Sequence, residues 1–207
     1  MENSDAYKRL VKQINAVGRQ KLDGYYFNTL EEIYDWERED VETIIWNTFN
    51  ERKDTDLAFF LPKLKNYDGI SALKEMLLKC NIPSGNSVNV SKVLYDISNE
   101  KQYLDILFLN YKKAKSGLGV VSVIARCNPN EDVYQMLVDI YVNNQDSTIR
   151  STALDGILYN KGYLNNPDDV QEIMRKLELS RKFIKDTVEE RKEMIKQLEE
   201  GKFEMYK

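Results

Sequence analysis

The sequence predicts an all-α fold, a stack of antiparallel helix pairs closed by a long C-terminal helix. Three observations point there. Proline and glycine are scarce, four and nine residues in 207, so few positions punctuate a helix. Apolar residues recur at i, i+3, i+4 and i+7, as in Val41, Ile45, Trp46 and Phe49, or Leu104, Leu107 and Tyr111. The same apolar pattern then returns at a constant offset of 30 residues. That offset aligns Leu73 with Tyr103 and Val133, Leu77 with Leu107 and Leu137, and Val93 with Val123 and Ala153. It also aligns Leu94 with Ile124 and Leu154, and Ile97 with Cys127 and Ile157. An earlier unit fits at an offset of 32, pairing Ile45 with Leu77 and Leu61 with Val93. One helix pair cannot bury its apolar face alone, whereas stacked pairs share a continuous core.

Taken in order, residues 1–36 are expected to cap one end of a single domain spanning 1–207. They comprise a helix followed by the aromatic-rich connection "DGYYFNTLEEIYDW". Tyr25, Tyr26, Phe27, Tyr34 and Trp36 are expected to cover the open end of the stack, with an interface role as the alternative. Residues 37–163 hold about four helix pairs. Breakers fall between them, including "NYDG", "NIPSGN", "AKSG", "CNPNED", "NNQD" and "NKGY". Several of these offer an Asn, Asp or Ser for an N-cap or a Gly for a C-cap. The brief alternation in "NSVNVSKVL" runs on through Tyr95 and Ile97 at helical spacing. Residues 167–204 read as one long capping helix. Asp168 and Asp169 stand at its start, and Val170, Ile173, Leu177, Ile184, Val188, Ile195 and Leu198 form its stripe. A dimerising coiled coil is the alternative, weakened by Ser180 and Arg191 in the seam.

Composition excludes much chemistry. There is no histidine, which removes Ser-His-Asp and Cys-His catalysis and the usual zinc hydrolase sites. Two cysteines, Cys80 and Cys127, read as small apolar residues rather than a disulfide, and a Cys-only zinc site needs more ligands. "SGLGVV" lacks the third glycine of a dinucleotide loop and reads as a turn. The carboxylates of "EEIYDWEREDVE" read as a solvated helix face. Glu31, Asp35, Glu39 and Asp40 would support an enzyme only by converging in a pocket with raised pKa values. No catalytic residue, metal site or cofactor is therefore expected. The formal net charge of −4 disfavours broad binding to nucleic acid. The N-terminus has no apolar signal region, and "GLGVVSVIA" is far short of a membrane span. A cytoplasmic protein without a membrane partner is expected.

"DSTIRSTALDGIL", Asp146 to Leu158, resembles the second helix of a HEAT repeat, in which an Asp precedes a Val/Ile-Arg pair and Ala-Leu-rich turns. The resemblance implies a right-handed α-solenoid with Asp146 as a cap, Ile149, Ala153 and Ile157 buried, and Arg150 paired with an Asp of a neighbouring repeat. Val120 and Val90 replace that Arg upstream. Arrays of this kind that act on DNA use basic concave faces. Here the outer positions of the second helices hold Lys92, Tyr95, Asp96, Ser122, Arg126, Thr152, Asp155 and Tyr159, a nearly neutral mixture. The expectation is a non-catalytic module that binds another protein, with Tyr95, Arg126, Asp155 and Tyr159 as its contacts. Size and acidity also resemble the small helical immunity proteins of bacterial toxin systems, which implies a toxin domain as partner. A monomer is favoured. A scaffold dimerising through residues 167–200 and a carboxylate-based enzyme are the alternatives.

Overall fold

Helix after helix starts where the sequence supplies a short polar side chain to accept its first free N–H groups. A computed structural model describes residues 2–207, apart from the side chains of Arg19, Leu22 and Asp23; Met1, the first residue of the expected N-terminal cap, lies outside them. The described residues are helical with no strand, and they divide into two compact units, Met1–Ser98 and Asn99–Lys207.

The first unit opens with α1 (Asp5–Ile14), capped by Ser4 Oγ, which accepts from Tyr7 N at 3.1 Å. Ala6, Leu10 and Ile14 form its buried stripe at the i, i+4 spacing of one helix face. Short turns follow: a 3-10 turn (Gly18–Asp23), α2 (Thr29–Glu32) and a second 3-10 turn (Asp35–Glu37). Then come α3 (Arg38–Arg52), a 3-10 helix (Thr55–Lys63), α4 (Gly69–Lys79) and α5 (Gly85–Ser98). Val41, Ile45 and Phe49 of α3 are fully buried, as the periodicity requires. The unit aligned at an offset of 32 therefore has a 3-10 helix, containing Pro62, in place of a second α-helix. Its matched residue Leu61 is still buried.

Two acidic residues expected on a solvated face are instead structural. Glu42 is fully buried. It accepts from Arg38 Nε at 2.5 Å and from the backbone N–H groups of Lys65 and Asn66 at 2.9–3.0 Å. Glu37 is also buried, and accepts from Ser4 N (2.8 Å), Ser4 Oγ (2.7 Å) and Tyr34 N (2.9 Å). A carboxylate can leave water when several donors converge on its oxygens.

In the second unit, α6 (Lys101–Lys113) and α7 (Leu118–Ala125) precede α8 (Glu131–Asn143) and α9 (Ser147–Asn160). Asn130 caps α8 and Asp146 caps α9, the latter accepting from Thr148 N at 2.7 Å and Ile149 N at 3.3 Å. Ile149, Ala153 and Ile157 lie on the buried side of α9. Gly156 explains why a glycine interrupts that helix. A Cβ there would stand 2.7 Å from Ala125 Cβ and 2.8 Å from its Cα, so its absence lets α9 approach α7. Arg150 departs from the family expectation. It donates to the carbonyls of Asn144 (3.3 Å) and Gln145 (2.7 Å), holding the loop before its own helix. Of the aligned columns, Leu73/Tyr103/Val133 and Leu94/Ile124/Leu154 are buried throughout. Ile97 is exposed where Cys127 and Ile157 are buried.

The expected single helix over 167–204 is broken. It consists of α10 (Val170–Arg175), α11 (Leu177–Lys182), α12 (Val188–Glu199) and a final 3-10 turn (Glu204–Tyr206). Two residues of α8 hold the break before α12. Tyr141 donates its hydroxyl to the carbonyl of Phe183 at 2.6 Å, and Arg191 reaches back across it to Val142. Thr187 and Glu190 then form a reciprocal capping box that restarts the helix. Val170 and Ile184 of the expected stripe are consequently exposed, at 69% and 74%. Among the described residues no helix is long and apolar enough to cross a membrane.

Candidate binding surface

The aromatic connection in the first unit does not close a core. Only Tyr25 is buried; its hydroxyl donates to Asp54 Oδ2 at 2.8 Å, and burial, reinforced by that bond, pushes its pKa up. Phe27, Tyr34 and Trp36 are 64%, 52% and 48% exposed. Tyr26 lies at the edge, with the Arg9 guanidinium 3.8 Å from its ring centre. The expected covering role therefore fails for four of the five aromatics.

Buried Glu37 sits on the turn that carries two of them. Its carboxylate ties the turn to Ser4 and to the Tyr34 amide, so the turn is fixed from its inner side. Burial pushes the Glu37 carboxyl up, but the bonds from Ser4 and Tyr34 outweigh it and hold it below the usual range. Tyr34 and Trp36 project from the other side, their rings stacked at 6.0 Å and 27°. Phe27 packs one edge on Phe59 at 4.3 Å. Such exposed, pre-positioned rings are interface material.

The carboxylates near the pair in sequence lie on three separate elements. Glu31 lies in α2, Asp35 in the 3-10 turn, and Glu39 and Asp40 in α3, so they do not share the single helix face expected. Glu31 meets Lys63 Nζ at 2.8 Å, and that bond lowers its pKa, the direction opposite to the one an acid–base role needs. Asp40 accepts from the Tyr7 hydroxyl at 2.6 Å.

The four residues expected on second-helix faces divide between the units. Tyr95, in α5, is only 2% exposed and belongs to the core; it cannot be a surface contact. The stripe it shares with Leu94 and Ser91 packs inward. In the second unit, Arg126 is exposed but engaged. Its Nε donates to both carboxylate oxygens of Asp168 at 2.6 and 2.7 Å, and its Nη1 to Ser122 Oγ at 2.7 Å. Asp155 and Tyr159 are half-buried neighbours on one side of α9. Burial alone pushes the Asp155 carboxyl up to about 6.

A cleft of about 330 Å³ also lies in the first unit, between the end of α3, α4 and the α4–α5 connection. Lys53, Glu75, Lys79 and Asn81 line it, together with Cys80, whose thiol is pushed up by burial. Cys80 is thus half-buried rather than a core residue, whereas Cys127 is buried. Lys79 and Glu75 pair along α4 at 2.5 Å.

Sequence periodicity undervalued the Tyr34–Trp36 pair although a signal was present. The positions three and four residues beyond Trp36 are Glu39 and Asp40, and those beyond Tyr34 are Glu37 and Arg38. Neither ring has an apolar partner three or four residues ahead, although Leu30 stands four residues behind Tyr34 and Ile33 three behind Trp36. Comparison of the chain with protein-family models, curated proteins and solved structures finds no match to any of them.

Proposed function

We propose that this chain is a non-catalytic module that binds another protein, and that the exposed aromatic surface of the first unit is its contact. The observation carrying this reading is the stacked Tyr34–Trp36 pair, about half exposed on a turn whose backbone is pinned by Glu37. Rigid aromatics lose little conformational entropy on binding and supply large contact area.

In the second unit, the helix pairs read as a HEAT-like stack. α6 and α8 start 30 residues apart, at Lys101 and Glu131. Asn160, at the end of α9, donates from Nδ2 to the carbonyl of Asn130, just before α8, at 3.1 Å. That bond favours an antiparallel α8–α9 hairpin. Within the binding class, the narrower proposal is a cytoplasmic immunity protein that occupies and blocks a toxin domain.

The experiment is an affinity capture from native cytosol with the wild type and a Tyr34→Ser/Trp36→Ser variant of matched melting temperature. The expected result is one stoichiometric partner that the variant fails to retain. A toxic enzyme inhibited by equimolar protein would support the immunity reading. Equal capture by both forms, or none by either, would overturn the assignment of this surface.

A further inference from the structure

Resting on that protein-binding reading, we propose that Tyr34, Asp35, Trp36 and Glu39 form a receiving site for an arginine side chain presented by the partner. The charge arrangement around the rings carries the argument. Glu31 is matched by Lys63 at 2.8 Å and Glu32 by Arg9 at 2.9 Å. Glu37 and Glu42 are buried and occupied by Ser4, Arg38 and backbone N–H groups. Asp40 accepts from Tyr7. Lys8, whose ammonium senses Tyr34, is held by Glu2 at 2.6 Å. Asp35 and Glu39 are left: both are exposed, and among the described residues neither carboxylate has an ion pair or hydrogen bond. They flank Trp36 on one turn and the first turn of α3.

An exposed aromatic pair beside two unmatched carboxylates is complementary to a guanidinium. Its plane stacks on a ring face, while its N–H fork reaches a carboxylate with two parallel hydrogen bonds. An ammonium matches the charge but not the stacking or the fork. The site is also pre-organised. Glu37 fixes the turn from below through Ser4 and Tyr34, so little order remains to be imposed on binding.

The probe is a fluorescent Arg-Gly-Ser repeat peptide, compared with the same peptide carrying Lys for Arg. Trp36 emission is read in a Trp46→Phe background, since Trp46 is the second of two tryptophans. Saturable quenching is expected, with the Lys peptide weaker by about fivefold or more. Asp35→Asn/Glu39→Gln should weaken the Arg peptide by about tenfold or more. Glu189→Gln/Glu193→Gln in the second unit changes net charge equally and should leave binding unchanged. Equal binding of Arg and Lys peptides, equal effects of the two charge variants, or no quenching would each overturn the arginine site. A partner captured from cytosol through Trp36, yet indifferent to Asp35→Asn/Glu39→Gln, would also overturn it while leaving the protein-binding reading intact.

Discussion

Arg191 of α12 donates from Nε to the carbonyl of Val142, in the last turn of α8, at 2.8 Å. Its Nη1 donates to the carbonyls of Lys185 (3.2 Å) and Asp186 (2.9 Å), and the residue is only 2% exposed. The buried cation is therefore held by backbone carbonyls. Val142 lies at the negative end of the α8 dipole, where a cation is favoured and carbonyls lack intrahelical partners. One side chain thus fastens the end of α8, the 185–187 connection and α12 together. Arg191→Met should strand these carbonyls and lower stability by about 2–4 kcal/mol. Arg191→Lys should recover less than half, because an ammonium cannot span the same fork. Urea midpoints measure both, and a Met variant as stable as the wild type would show that the carbonyls are solvated without Arg191.

Glu42 makes the same kind of bond with opposite charge, and its role is visible in pH. Burial pushes its carboxyl up, but Arg38 and the amides of Asn66 and Lys65 outweigh this and hold it below its ordinary value of 4.5. A depressed folded pKa contributes stability above the unfolded value, and that contribution disappears as pH falls through the folded pKa. Glu42→Gln should destabilise by about 2–3 kcal/mol at pH 7. The gap between variant and wild type should narrow as pH falls below 4.5 through the folded pKa, as the wild type loses the same contribution. A gap that stays constant from pH 7 to pH 3 would mean that the charge of Glu42 contributes nothing.

Asp155 runs the other way. Desolvation on α9 raises its carboxyl from 3.8 to about 6. The folded state then binds the proton more tightly than the unfolded chain, so stability falls as pH rises from about 4 to 6. Asp155→Asn removes the penalty and should stabilise the protein at pH 7 by about 1–2 kcal/mol, after discounting for partial exposure. Little difference should remain at pH 4. Thermal unfolding of both forms across this range checks it, and an Asn variant less stable at pH 7 would mean that the carboxylate has a favourable role.

The sequence made α9 legible because every cue in it was local. Asp146 caps it, Ile149, Ala153 and Ile157 repeat at helical spacing, and "NNQD" punctuates its start. The break before α12 also had a local cue, the Thr187-x-x-Glu190 capping box, which the longer apolar periodicity of 167–204 obscured. The break at Lys176 had none. No glycine or proline stands there; Leu179 and Phe183 beyond it are buried, and the Lys176 ammonium bonds to the Tyr206 carbonyl. Glu42 was equally opaque, because its amide donors lie 23 and 24 residues away in a loop. Of the expected contacts, Tyr95 fell inward because helical spacing locates a stripe but not which flank of it meets water. Tyr34 and Trp36 stood out only in lacking apolar partners three and four residues ahead, a weak signal because Leu30 and Ile33 supply them behind.

Gly156 offers the sharpest test of how the second unit is packed. Alanine is the better helix former by about 1 kcal/mol, so propensity alone predicts that Gly156→Ala stabilises α9. Packing predicts the reverse. The new methyl would lie 2.7 Å from Ala125 Cβ, 2.8 Å from Ala125 Cα and 2.9 Å from Leu137 Cδ1. Backbone-borne atoms such as Ala125 Cα and Cβ cannot swing aside, so α7 and α9 must separate, at a cost of about 1–3 kcal/mol or more. The net expectation is a loss of about 1–2 kcal/mol by urea denaturation. Ala125→Gly in the same chain removes the clash with the residue 125 methyl but leaves the one with its backbone, so it should rescue only part of the loss. A double-mutant cycle should return a coupling of about 0.5 kcal/mol or more. Strict additivity, or a more stable alanine variant, would mean that α9 does not approach α7 this closely.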